Sequence, residues 1–91
     1  MKFEWDENKR QTNITKHGID FIDARKIFDY DTVTIEDNRF NYGEQRFIAI
    51  GLLNGKIIVV VYTEISNKIR IISARKATKN EQQIYFNEIY D

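Results

Sequence analysis

The chain has no cysteine and no proline, and only one histidine among its 91 residues. Without cysteine it can form neither disulfides nor a thiolate zinc site. With a single histidine it has no histidine cluster, so a metal site would have to be built from carboxylates alone. Its longest apolar run, Ile57 to Tyr62, is far short of the ~20 residues that cross a bilayer. Met1-Lys2-Phe3-Glu4-Trp5-Asp6 contains no apolar stretch of the signal-peptide kind. A small, soluble, cytoplasmic protein with no membrane partner is expected. Glycine is scarce, and Gly43, Gly51 and Gly55 do not form a phosphate loop. Walker, Rossmann and Ser-His-Asp signatures are also missing. Repeats, low-complexity tracts and linkers are absent, so a single domain over 1–91 is expected.

What is present suffices for a core: 42% hydrophobic and 13% aromatic residues, which argues against disorder. The formal net charge is zero, but the balance is uneven along the chain. Asn67 to Asn80 holds Lys68, Arg70, Arg75, Lys76 and Lys79 and no acidic residue. Packing of a strand over Ile69–Lys76 accounts for Ile69, Ile71 and Ile72. It does not require Arg70, Ser73, Arg75 and Lys76, which suit a site that handles an anion, phosphate above all. The plain alternative is a solvated charged surface.

Capping residues and periodicity outline an α+β fold. Asp6 and Gly18 bracket a first helix. Asp20 opens a second, with Phe21, Ala24, Ile27 and Phe28 on one face. Thr32–Ile35 reads as a short, partly exposed strand, and Asp37–Gly43 as a turn. Arg46–Leu53 and Lys56–Glu64 flank Asn54-Gly55, a two-residue hairpin signal. Counting back from that turn pairs Phe47 with Tyr62. A second reversal at Ile65–Lys68 pairs Glu64 with Ile69, Tyr62 with Ile71 and Val60 with Ser73, completing an antiparallel meander. Thr78-Lys79-Asn80-Glu81 is a capping box for a last helix that packs through Ile84, Tyr85 and Ile89. In this register Arg46, Thr63 and Arg70 share one face, and Tyr62, Glu64, Ser73 and Arg75 the other. A single β-bulge would exchange the faces beyond it.

Several side chains can carry chemistry. His17, the single histidine, is a proton-transfer candidate by residue type, although a histidine at a helix C-terminus also simply complements the dipole. Glu64 ends the most apolar strand beside Tyr62. Glu44 and Arg46 can form a structural ion pair, and Trp5 and Tyr42 can stack on bases or belong to the core. Together His17, Tyr62, Glu64, Arg46, Arg70, Arg75 and Lys76 make a set able to cleave RNA without metal or other cofactor. A base takes the proton of the 2′-hydroxyl, arginines stabilise the pentacoordinate phosphate, and an acid protonates the leaving 5′-oxygen.

Five segments then stand in an order that resembles one family. They are Phe3-Glu4-Trp5-Asp6, Asn13 with Lys16-His17-Gly18, the run Gly43 to Gly51, Val60-Val61-Tyr62-Thr63-Glu64, and Arg70 to Ala77. They resemble the BrnT-type toxins, ribonucleases of type II toxin–antitoxin modules. The resemblance implies a RelE-like fold: two N-terminal helices, an antiparallel β-meander sheet and a C-terminal helix. It implies an RNA substrate, inhibition of translation, and a BrnA-like ribbon-helix-helix antitoxin that brings the pair to operator DNA. Carried over residue by residue, it adds Glu44 and Ser73 to the site. The expected roles are Arg75 and Arg46 on the phosphate, with Glu64, His17 or Tyr62 as base and acid. Arg70, Ser73 and Lys76 would bind RNA, with Glu44 in support. The sequence departs from the family at Tyr62, where histidine is frequent, and in the absence of a proline after the second helix. A non-catalytic interaction module, or an inactive toxin acting as antitoxin-bound co-repressor, is the alternative.

Overall fold

Capping chemistry sets the helix boundaries. In the computed structural model, which describes residues 1–39 and 41–90, α1 spans Glu7–His17. The Asp6 carboxylate accepts from the Lys9 N–H, and Gly18 closes the helix at φ 71°, donating to the Ile14 carbonyl. Asp20 caps α2 (Phe21–Ala24) and also receives the Arg10 guanidinium at 2.8 and 2.9 Å, joining the two helices. α2 runs directly into a 3-10 turn, Arg25–Asp29. α3 spans Lys79–Tyr90. Its start is the reciprocal box: the Glu81 carboxylate accepts from the Thr78 N–H, and the Thr78 hydroxyl from the Glu81 N–H.

Five strands, β1 (Lys2–Glu4), β2 (Val33–Glu36), β3 (Phe47–Leu53), β4 (Lys56–Ile65) and β5 (Lys68–Lys76), form one sheet in the order β1-β5-β4-β3-β2. The central meander has the expected hairpin register, Leu53 opposite Lys56 and Phe47 opposite Tyr62. Asn54 and Gly55 adopt φ 49° and 80°, the left-handed pair that a two-residue turn requires. Ser66 and Asn67, at φ 51° and 66°, make the second reversal in the same way. The sheet is mixed rather than antiparallel, because β1 runs parallel to β5 and pairs Phe3 with Ile69. The expected turn over Asp37–Gly43 runs through Phe40, which lies outside the described residues.

One pairing differs from the sequence reading, and it reorganises the face. Glu64 opposes Ile69 and Tyr62 opposes Ile71 as expected, but Val61, not Val60, opposes Ser73. Ile72 is the extra residue of a β-bulge. Because side chains alternate along a strand, the bulge moves Ser73 and Arg75 to the face that carries Arg46, Thr63 and Arg70.

Apolar layers cover both faces. On one, Ile58, Val60 and Tyr62 meet Ala49, Ile71 and Ala74 beneath Phe21, Ala24 and Ile27. Trp5 and Phe28 pack against this layer, so Trp5 serves the core. Gly51 permits the contact: a Cβ there would lie 2.8 Å from Ile27 Cβ. On the other face, Ile50 and Val59 pack under Ala77 and Tyr85.

The remaining edge of β5 is closed by a side chain. β1 pairs only with Lys68, Ile69 and Arg70, and beyond them α1 lies along the strand. Asn13, 5% exposed, receives the Ala74 N–H at 3.1 Å and donates to the Ala74 carbonyl at 2.9 Å and the Ile19 carbonyl at 2.8 Å. One amide thus acts as a rung of the sheet and ties α1 to it.

Candidate functional site

The sheet register lays out the α3-side face as rows that cross the strands. At one end, the Asp37 N–H donates to the Arg46 carbonyl at 2.8 Å, Arg46 stands one step beyond the Phe47–Tyr62 pair, and Thr63 opposes Arg70. Glu4 of β1 stands beside Arg70. The next row holds Ile35, Ile48, Val61 and Ser73, and the third Val33, Ile50, Val59 and Arg75. Cations therefore occupy the first row and the β5 column, while the apolar middle of the third row lies under α3.

Each cation has a different degree of freedom. Arg75 is held most firmly, donating to both Glu81 carboxylate oxygens at 2.7 and 2.9 Å and to the Lys76 carbonyl at 3.3 Å. This pairing raises the Arg75 pKa against burial and the repulsion of Arg39, and it brings the Glu81 carboxyl down to about 2. Arg46 reaches Glu44 at 3.3 Å and lies over the Tyr42 ring at 3.9 Å from its centroid. Arg70 is exposed and makes no ion pair among the described residues.

The segment after β2 is organised by Asp37. Its fully buried carboxylate accepts from Arg39 Nε at 2.8 Å, Arg39 Nη2 at 2.9 Å and the Tyr42 hydroxyl at 3.1 Å. The Arg39 guanidinium holds this carboxyl down at about 2. Arg39, paired with Asp37, is close enough to Arg75 to act on its charge, and the sequence reading did not include it. A signal existed: Asp37 and Arg39, two residues apart in a turn, are spaced for such a local pair. Glu81 was legible as a cap, but its hold on Arg75 was not.

His17 stands elsewhere, at the sheet edge. It borders a groove of about 350 Å³ with Lys9, Lys16, Ile72 and Ser73, and a second of about 360 Å³ that includes Lys56 and Lys76. Ser73 thus lies between the arginine face and the α1 groove. Lys9 and Lys16, spaced seven residues apart along one side of a helix, extend the cationic border.

Tyr62 and Glu64 lie on the opposite face. Tyr62 is 5% exposed, packed edge-on to Phe28 and tilted against Phe47. Burial raises its phenol pKa and the charge of Glu64 adds to this, with Thr34 acting the other way. At neutral pH such a group holds its proton and is poorly suited to act as a base. Glu64 is exposed at the rim, beside a shallow pocket lined by Thr34, Gln45, Phe47 and Tyr62. Among the described residues no group of three or more histidine or carboxylate side chains is arranged to hold a metal ion, and no helix is long and apolar enough to cross a membrane.

Comparison with known proteins supplies what geometry alone does not. A family model described as the ribonuclease toxin BrnT of type II toxin–antitoxin systems matches residues 5–81. The chain belongs to the BrnT family. It is a ribonuclease toxin of a type II toxin–antitoxin system, with an antitoxin as partner and RNA as substrate. Among solved structures, the crystal structure of the Brucella abortus ribonuclease toxin BrnT matches with a TM-score of 0.71 and 39% identity. That match covers 87% of this chain and 99% of the Brucella one. Curated proteins give no match. Every site residue expected from sequence falls within the BrnT-matched segment; Tyr85, Ile89 and Tyr90 of α3 fall beyond it.

Proposed function

We propose that this toxin is a RelE-like, metal-independent endoribonuclease, acting as one cytoplasmic domain to cleave RNA and block translation. The observation that carries this reading is the bulge at Ile72. It unites Ser73 and Arg75 with Arg46, Thr63 and Arg70 on one face of a chain whose family is ribonucleolytic.

The backbone phosphate docks at the rim against Arg46 and Arg70, whose guanidinium groups match the geometry of phosphate oxygens. Arg75, fixed by Glu81, contributes positive charge from the inner row. Ser73, Lys76 and the α1 groove continue the track for the flanking backbone. The 2′-hydroxyl gives up its proton and attacks the adjacent phosphorus, the 5′-oxygen leaves with a proton, and a 2′,3′-cyclic phosphate and a 5′-hydroxyl result. Two proton-transfer groups border the track, Glu64 around the rim and His17 across the groove. Glu44 orients Arg46, and Tyr62 supports the opposite face. A BrnA-like ribbon-helix-helix antitoxin neutralises the toxin and carries it to operator DNA.

The test is incubation of purified toxin with a defined RNA in EDTA. Wild type should leave cyclic-phosphate ends, and a strand with 2′-deoxy at the cleaved position should survive. Arg46→Ala, Arg70→Ala and Arg75→Ala should each slow cleavage by about 10²–10³-fold, the scale of losing one charge-stabilising group. His17→Ala or Glu64→Gln should cost about 10²–10⁴-fold where that group moves the proton. Intact RNA with a folded, antitoxin-binding wild-type protein would instead make the chain a non-catalytic co-repressor.

A further inference from the structure

A second surface lies at the opposite end of the sheet from Arg46 and Arg70. Strand β3 runs from the cationic rim to the Asn54-Gly55 turn over seven residues, roughly 20 Å at the rise of a strand. Beside that turn a cleft of about 680 Å³ opens between the end of the 3-10 turn, the β3–β4 hairpin and the last turn of α3. Its volume is within the range of roughly 300–1,000 Å³ typical of specific binding sites. Tyr85 and Ile89 line its inner side, and Tyr30, Leu52 and Tyr90 stand at its mouth. These last three are 73%, 41% and 66% exposed, and Phe86 beside them 46%. Solvated aromatic and aliphatic side chains grouped in this way mark an interaction surface, and tyrosine is among the residues that dominate binding energy at interfaces.

The rim of the cleft determines what can enter it. Asp29 and Asp31 line it and make no ion pair among the described residues. Asp31 lies close enough to Tyr85 to act on its phenol. The one lysine at the cleft, Lys26, is 3.6 Å from Asp23. Two unpaired carboxylates repel phosphate, so RNA is a poor occupant, and they attract lysine and arginine. The cleft also draws on Tyr85, Ile89 and Tyr90, which lie beyond residues 5–81, the segment that the BrnT family model matches.

We infer that this cleft is a docking site for the antitoxin. The docking segment is a peptide that places one or two large apolar side chains between Tyr30, Leu52 and Tyr90 and flanks them with Lys or Arg opposite Asp29 and Asp31. The inference uses the family's antitoxin partner and goes beyond the ribonuclease reading, whose rim arginines, Arg46 and Arg70, lie at the other end of the sheet. Grip on the antitoxin and grip on the phosphate at that rim are thus assigned to separate surfaces.

The experiment compares wild type with two variants, Asp29→Lys/Asp31→Lys and Tyr30→Ala, all at exposed positions. The probe is the small antitoxin encoded beside the toxin gene, purified and titrated calorimetrically. The charge reversal should raise Kd by about 30-fold or more and Tyr30→Ala by about 10-fold. RNA cleavage and melting temperature should stay at wild-type values. A Kd within about threefold of wild type for both variants overturns the inference. So does unchanged antitoxin affinity combined with loss of self-association in sedimentation equilibrium, which would assign the cleft to a second copy of this chain. If wild-type toxin leaves RNA intact, the ribonuclease reading fails, while the Kd comparison still decides the docking site.

Discussion

Replacing Asn13 with alanine removes a rung of the sheet without touching the sheet itself. Three hydrogen bonds disappear, from Ala74 N–H at 3.1 Å and to the Ala74 and Ile19 carbonyls at 2.9 and 2.8 Å. Ala74 is fully buried, so its N–H loses its partner in a place that water reaches poorly. A buried donor left unpaired costs about 1–3 kcal/mol, and two carbonyls that lose a donor add a smaller amount. The sum is about 2–4 kcal/mol, against a total stability of about 5–15 kcal/mol for a domain of this kind. At roughly 4–8 °C per kcal/mol, melting should fall by about 10–25 °C, measured by circular dichroism and checked by urea titration. Asn13→Asp should also be destabilising near neutrality, because a carboxylate cannot donate to two carbonyls. It should improve as the pH falls and the acid regains a proton to donate. Thr12→Ala, one residue away and exposed, should change stability by no more than about 0.5 kcal/mol. A loss below about 0.5 kcal/mol for Asn13→Ala would refute the reasoning, since solvent would then satisfy Ala74 as well as the amide does.

Gly51→Ala should cost about 1–3 kcal/mol, read as a shifted urea midpoint, because the new methyl would meet Ile27 Cβ at 2.8 Å, an atom fixed to the backbone. Acid stability should follow Asp37 and Glu81. Both have folded pKa values depressed to about 2 by arginine partners, from ordinary values of 3.8 and 4.5. Their stabilisation is therefore complete above the ordinary values and lost as pH falls from about 4.5 towards 2. Urea midpoints should be flat above about pH 5 and decline below it, and Asp37→Asn should lower the plateau and flatten the decline. Glu81→Gln should release Arg75 and weaken the capping box together, reducing stability by about 1–2 kcal/mol. Rates of RNA cleavage at matched folded fraction would show whether the fixed or the released arginine is the better catalyst; the proposed inner-row role predicts a slower variant.

Local chemistry was legible. Asp6, Gly18, Asp20 and the Thr78–Glu81 box mark helix ends because a cap satisfies backbone groups within a few residues of itself. Asn54-Gly55 set the first hairpin register to the residue, since its left-handed conformation permits one short turn. The apolar positions Phe21, Ala24 and Ile27 reached the core as their spacing indicated. Non-local facts were not legible. Nothing in Lys2–Glu4 announces a parallel strand, because its partner Lys68–Arg70 is more than sixty residues away. The amide of Asn13 and the backbone of Ala74 are 61 positions apart. In retrospect the bulge has one trace: Ile71 and Ile72 are adjacent and apolar where strict alternation would place a polar residue.

The sequence by itself determined the family, the order of the elements, the hairpin register and the location of the basic segment. These depend on residue identity and short-range spacing. Only the tertiary structure decided which basic side chains share a face. The bulge at Ile72 moved Ser73 and Arg75 across the sheet to join Arg46 and Arg70, and it left Tyr62 and Glu64 behind. A side-chain period of two makes that outcome hinge on a single residue, and the pairing of β4 with β5, with α1 packed along the edge, settles whether the extra residue is there.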